Sequence, residues 1–122
     1  MTASNLQSGR QAEQQALEYL SRHGLQLVER NWHCRHGELD LVMQHAHTLV
    51  FVEVRYRRST DFGGALESIT PAKQQRIMQA AQRYLQQHEH WQEHDCRFDV
   101  IAIHGTPGQP GSLEWLQHAF VP

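Results

Sequence analysis

The hydrophobic and polar positions of the chain change period several times, and each change marks an element. Leu6, Gly9, Glu13, Ala16, Leu17 and Leu20 recur at three- and four-residue steps, which predicts a helix from about Leu6 to His23. Gly24 follows as its stop. Leu25 to Trp32 reads as a first strand. The runs Gly37-Glu38-Leu39-Asp40-Leu41-Val42 and Leu49-Val50-Phe51-Val52-Glu53-Val54-Arg55-Tyr56 read as two further strands, joined by a hairpin around Gln44 to Thr48. A polar, Gly-containing segment runs from Arg57 to Gly64. Thr70 then offers an N-cap and Pro71 a first helical residue, and Ile77, Ala80, Ala81, Tyr84 and Leu85 form the apolar stripe of a second helix. This helix runs out near Gln87, and Trp91 to Asp95 reads as loop. Arg97 to Ile103 is a strand, His104 to Gly111 a Gly/Pro loop, and Leu113 to His118 a short last strand. The order predicts an α/β fold with a mixed central sheet flanked by helices.

Acids interrupt the two hairpin runs where a buried strand is normally apolar. Strand alternation puts Glu38 and Asp40 on one face, with Leu39 and Leu41 on the other. It also puts Leu49, Phe51, Glu53, Arg55 and Arg57 on one face of the next strand. A loop from His45 to Thr48 pairs Gln44 with Leu49 and therefore sets Asp40 opposite Glu53, with Cβ atoms about 5 Å apart. Two carboxylates at that distance repel unless a cation lies between them or one is protonated. Asp40 and Glu53 are therefore candidate metal ligands, with the Val54 carbonyl beside them, and Mg²⁺ or Mn²⁺ suits such hard oxygen donors. The competing reading is a solvated strand edge. Glu13 lies on the inward stripe of the first helix and needs a partner, for which Arg10, Arg55 and Arg57 are available.

Size and charge narrow the function. The 122 residues fit a single domain. The formal net charge of −2 means that an anionic partner must meet a local patch rather than the whole surface. Arg57, Arg58 and Lys73 are the candidates for contacting nucleic-acid phosphates, although a Lys at the start of a helix more often lays its stem along apolar surface. No run is apolar and long enough to span a bilayer, and the N-terminus lacks a signal-peptide pattern, so a cytoplasmic protein with no membrane association is expected. Cys34 and Cys96 then read as two reduced thiols. The His and Cys spacings match no standard zinc pattern. Arg76 and Arg83 read as helix surface, Glu38 as surface, and Asp99 as paired with an arginine.

Several motifs together resemble a known family. Gly9-x-x-x-Glu13, Arg30-Asn31, Gly37-Glu38-Leu39-Asp40-Leu41 and Phe51-Val52-Glu53-Val54-Arg55-x-Arg57 are similar to the YraN-type family of small uncharacterised bacterial proteins. Ala65-x-Glu67-x-Ile69, Lys73-x-x-Arg76, Ala81-x-x-Tyr84-Leu85 and Arg97-Phe98-Asp99-Val100 fit the same pattern. That family is in turn similar to the PD-(D/E)XK nucleases, Holliday-junction resolvases among them. The resemblance implies a restriction endonuclease-like core and a catalytic set of Glu13, Asp40, Glu53 and Arg55. Arg55 departs from the usual lysine of that pattern. Arginine stays charged, so it can stabilise phosphate charge or orient water but cannot accept a proton from it.

The reading that results is a metal-dependent endonuclease-like protein acting on DNA, branched DNA included. A homodimer would suit cutting both strands of a junction. The segment Arg57 to Gly64 would form a flap beside the site. Two alternatives remain: a nucleic-acid-binding module of the same fold without catalysis, and an interaction scaffold whose acids are simply paired with Arg55 and Arg57.

Overall fold

The computed structural model describes residues 2–57, 66–105 and 113–122. Most of the expected flap, Arg58 included, lies outside these residues. Helix α1 spans Thr2–Arg22 and begins four residues earlier than the periodicity suggests. Strands β1 (Gln26–Cys34), β2 (Gly37–His45) and β3 (Thr48–Arg57) follow. A 3-10 turn at Leu66–Ser68 leads into α2 (Pro71–Gln87). The stretch read as loop before the next strand contains a second 3-10 turn, Glu89–Trp91, which buries Trp91. Strands β4 (Asp95–His104) and β5 (Leu113–Phe120) complete the chain.

The five strands form one sheet in the order β1-β2-β3-β4-β5. Only β3 and β4 are parallel, with α2 as their crossover, and the other neighbours are antiparallel. The sheet is therefore mixed, as the early hairpin requires. Two apolar clusters cover its two faces. Ala12, Ala16 and Leu20 of α1 pack with Leu41, Met43, Val50, Val52, Ile101 and Ile103. Ile77, Ala80, Ala81 and Tyr84 of α2 pack with Leu39, Val42, Leu49, Phe51, Phe98 and Val100. Tyr84 anchors the second layer, meeting Trp32 and Phe51 edge-on at centroid distances of 5.2 and 6.1 Å. The start of α2 is fixed as its sequence suggests. Thr70 Oγ1 accepts the Lys73 N–H at 3.2 Å, and Pro71 sits in the first turn.

One expectation fails at a telling place. Leu39 and Leu41 do not share a face: Leu39 joins the α2 layer and Leu41 the α1 layer. The strands invert around Asp40. On β1 the pairs Arg30–Leu41 and Trp32–Leu39 flank Asn31, whose φ is 55°. Asparagine is one of the few residues other than glycine that accept this left-handed conformation readily. The reversal there breaks the two-residue period of both strands.

A second buried polar element closes the far part of the sheet. Asp99 is fully buried. Its carboxylate accepts from Arg97 Nε at 3.1 and 3.2 Å, from Trp115 Nε1 at 3.0 Å and from the His118 N–H at 3.1 Å. Arg97 Nη2 in turn lies 2.9 Å from His45 Nδ1. Asp99 is paired with an arginine as expected, and the set is structural, because every partner belongs to the sheet itself. Cys34 and Cys96 are unbridged. No helix among the described residues is long and apolar enough to cross a membrane.

Candidate active site

The β2–β3 ladder runs from His45–Thr48 to Leu41–Val52. Extending that register by one residue sets Asp40 opposite Glu53, as expected, although the loop is shorter than the His45-to-Thr48 loop assumed, because His45 and Thr48 themselves pair. Ala46, at φ 55°, provides the reversal. Beyond the ladder, Asp40 Oδ2 accepts the backbone N–H of Val54 at 2.9 Å. Both acids are buried, with only 8% of Asp40 and 7% of Glu53 exposed. They are not a solvated strand edge.

Burial and proximity decide their ionisation. Burial and the Glu53 charge push the Asp40 carboxyl up to about 8, against the opposing pull of the Val54 N–H. Glu53 is also raised, by burial first, while Lys73, a hydrogen bond from Asp40, and Arg55 pull it back. The pair therefore shares one proton near neutral pH.

Glu13 approaches from the other layer. It lines the same cavity of about 310 Å³ as Asp40, Glu53, Val54, Arg55 and Lys73. Its partner is none of the arginines expected for it. Asn31 donates to its carboxylate, and Arg30 is the cation whose charge reaches it. Burial and then Asp40 raise the Glu13 pKa all the same. The physical reason is that α1 lies across the sheet from the side chain of Arg55, whose Nε donates to Ser68 Oγ at 3.1 Å beside α2. Glu38 sits between the two sides, paired with His33 at 3.1 Å, and its charge raises its acidic neighbours.

Lys73 is the residue that sequence reasoning undervalued. Its Nζ lies 3.7 Å from Glu53 Oε1. It lines both the acidic cavity and an adjoining one of about 170 Å³, which Arg76 and Gly37 also line. The signal available was its place in the first turn of α2, capped by Thr70, although sequence does not tell which strand that turn overhangs. Arg57 ends β3, and its carbonyl accepts the Gly105 N–H at 2.8 Å. Its guanidinium Nε is buried and has no hydrogen-bond partner among the described residues.

The family model for UPF0102, an uncharacterised protein family, matches residues 12–103. The chain belongs to this family. A UPF0102 protein of Stutzerimonas stutzeri is 59% identical over 113 residues, covering 93% of each chain. One from Pseudomonas savastanoi pv. phaseolicola is 54% identical over 118 residues, covering 97% of this chain and 96% of its own. A third, from Pseudomonas fluorescens, is 52% identical over 120 residues and 98% of each chain. The matched span takes in Glu13, Asp40, Glu53, Arg55 and Lys73, so the whole candidate site falls inside the family region.

The donors suit a hard divalent cation held partly by water. Among the described residues no three His, Cys, Asp or Glu side chains converge as a complete ligand set. Two adjacent carboxylates do, and Mg²⁺ or Mn²⁺ commonly takes one or two carboxylates and keeps several waters. A dication would also replace the proton that the pair otherwise holds.

Proposed function

We propose that the protein is a metal-dependent endonuclease-like enzyme of the PD-(D/E)XK type, acting on DNA phosphodiester bonds. The observation that carries this reading is the buried pair Asp40–Glu53, whose double ionisation near neutral pH is disfavoured unless a cation joins it. Asp40, Glu53 and the Val54 carbonyl would hold Mg²⁺ or Mn²⁺. The metal would supply a more acidic bound water and neutralise charge on a phosphate. The Val54 N–H fixes the orientation of the Asp40 carboxylate. Glu13, held by Asn31, adds negative charge from the α1 side and would meet the metal through water. Arg55 is a fixed cation beside Glu53, and Arg57, Arg58 and Lys73 would contact the DNA backbone. The motif resemblance described above points the same way, and the restriction endonuclease-like core is part of this proposal.

The test is cleavage of junction, flap and linear duplex DNA with Mg²⁺ or Mn²⁺, by the wild-type protein and by Asp40→Ala and Glu53→Ala. Metal-dependent cleavage that both substitutions abolish supports the reading. DNA binding that survives both substitutions, with no substrate cut, favours instead a binding module of the same fold. The lysine-to-arginine departure at Arg55 gives that alternative its weight.

A further inference from the structure

Strand β3 carries arginine where a nuclease of this kind carries its active-site lysine, and that arginine is engaged elsewhere. Arg55 Nε donates to Ser68 Oγ at 3.1 Å, which holds the guanidinium against the 3-10 turn that precedes α2. A lysine from the first turn of α2 reaches the Glu53 carboxylate. Lys73 Nζ lies 3.7 Å from Glu53 Oε1, and its pull on Glu53 ranks ahead of that of Arg55. Its backbone is fixed by the Thr70 cap, whereas its side chain keeps a third of its surface in solvent. A rigid root with a movable tip is what a cation needs if it is to exchange one partner for another. Lys73 also borders both cavities that meet at Glu53.

Resting on the nuclease reading above, the geometry points to Lys73 as the cation that serves the reacting phosphate in place of Arg55, after serving as the counter-ion of Glu53 until a metal binds. A dication and an ammonium compete for one carboxylate. Released from Glu53 when a metal is bound, Nζ would remain beside the site and would donate a hydrogen bond to a phosphate oxygen or to the attacking water. A compact ammonium on a flexible stem suits this exchange better than a planar guanidinium already committed to a hydroxyl. Lys73 acts here by charge and hydrogen bonding, and no proton leaves it.

The proposal makes metal affinity and cleavage move in opposite directions. Lys73→Met keeps the length and apolar stem of the side chain while removing its charge. Mn²⁺ binding by titration calorimetry should tighten roughly 3- to 10-fold in this variant, because a competing charge has gone. Mg²⁺-dependent cleavage should fall roughly 100-fold or more. Lys73→Arg should recover part of the cleavage, and Arg55→Met should cost less cleavage than Lys73→Met. Lys73→Gln takes the place of the Met variant if circular dichroism shows that the latter fails to fold. General damage to the site would weaken both properties together. Unchanged or weaker Mn²⁺ binding in Lys73→Met overturns the counter-ion role. A wild-type protein that cuts DNA while Lys73→Met cuts equally well overturns the phosphate role alone. A wild-type protein that binds Mn²⁺ but cuts no substrate overturns the nuclease reading and the phosphate role together.

Discussion

The backbone N–H of Val54 lies 2.9 Å from Asp40 Oδ2, across the point where the β2–β3 ladder has ended. A side-chain carboxylate thus takes a main-chain donor of the neighbouring strand. The bond orients Asp40 toward Glu53 and ties the acidity of the pair to the hairpin register.

That acidity sets a pH dependence for stability. The Asp40 carboxyl moves from an ordinary 3.8 to about 8 in the folded protein. Below the lower value both folded and unfolded chains are protonated, and the site costs nothing by ionisation. Between the two values the unfolded chain has lost its proton and the folded one keeps it, so stability declines as pH rises through this window and levels off above it. Asp40→Asn removes the decline while an amide oxygen still accepts from Val54. Urea unfolding should find this variant equal to wild type near pH 4 and more stable near pH 8, by on the order of a few kcal/mol. Equal stability at both pH values would mean that the proton is not held there.

Metal binding should show the opposite slope. A dication must displace the proton on Asp40, so Mn²⁺ affinity should rise with pH by up to about tenfold per unit until the pH passes about 8. Calorimetry in buffers of different ionisation enthalpy would count the proton released. Saturating Mg²⁺ should also raise the Tm of wild type, but not that of Asp40→Asn or Glu53→Gln.

The reversal at Asn31 gives a backbone prediction. Asn31→Gly should fold normally, because glycine accepts a φ of 55°. Asn31→Val should lose about 1–3 kcal/mol through left-handed strain at a β-branched residue. The valine variant also removes the donor that lowers the Glu13 pKa, so its carboxyl should titrate higher by NMR. A valine variant as stable as wild type would show that the conformation is not required.

Asp99 tests the other polar cluster. Its removal leaves Arg97, whose side chain is 9% exposed, without its carboxylate. Asp99→Ala should cost about 3–5 kcal/mol in chemical denaturation. The site acids lie on α1, β2 and β3 and keep their own partners, so Mn²⁺ affinity of the folded fraction should stay near wild type.

The legible features share one trait: each depends on residues close in sequence. The hairpin fixes its own register, and a loop read as His45 to Thr48 shares that register with the tighter turn observed, so counting from Gln44–Leu49 reaches Asp40 and Glu53. Thr70 and Pro71 set the start of α2 by local capping alone. What stayed hidden depends on where elements land. The face change at Leu39 and Leu41 follows from the conformation of Asn31, a residue on the neighbouring strand. Glu13 pairs with Asn31 rather than with an arginine because α1 and α2 take opposite faces of the sheet. Lys73 meets Glu53 because the first turn of α2 overhangs the end of β3, and no spacing along the chain encodes that overlap.

The two-sided construction of the site makes it non-portable. One acid comes from α1, two from the hairpin, and the cation from α2, so each layer of the molecule contributes a member. The β2–β3 hairpin grafted onto another scaffold would carry Asp40 and Glu53 without the surroundings that tune them. On the nuclease reading, metal affinity would therefore depend on both helical layers, with Glu13 adding negative charge from α1 and Lys73 competing from α2, and would serve as a folding sensor independent of any enzymatic assay.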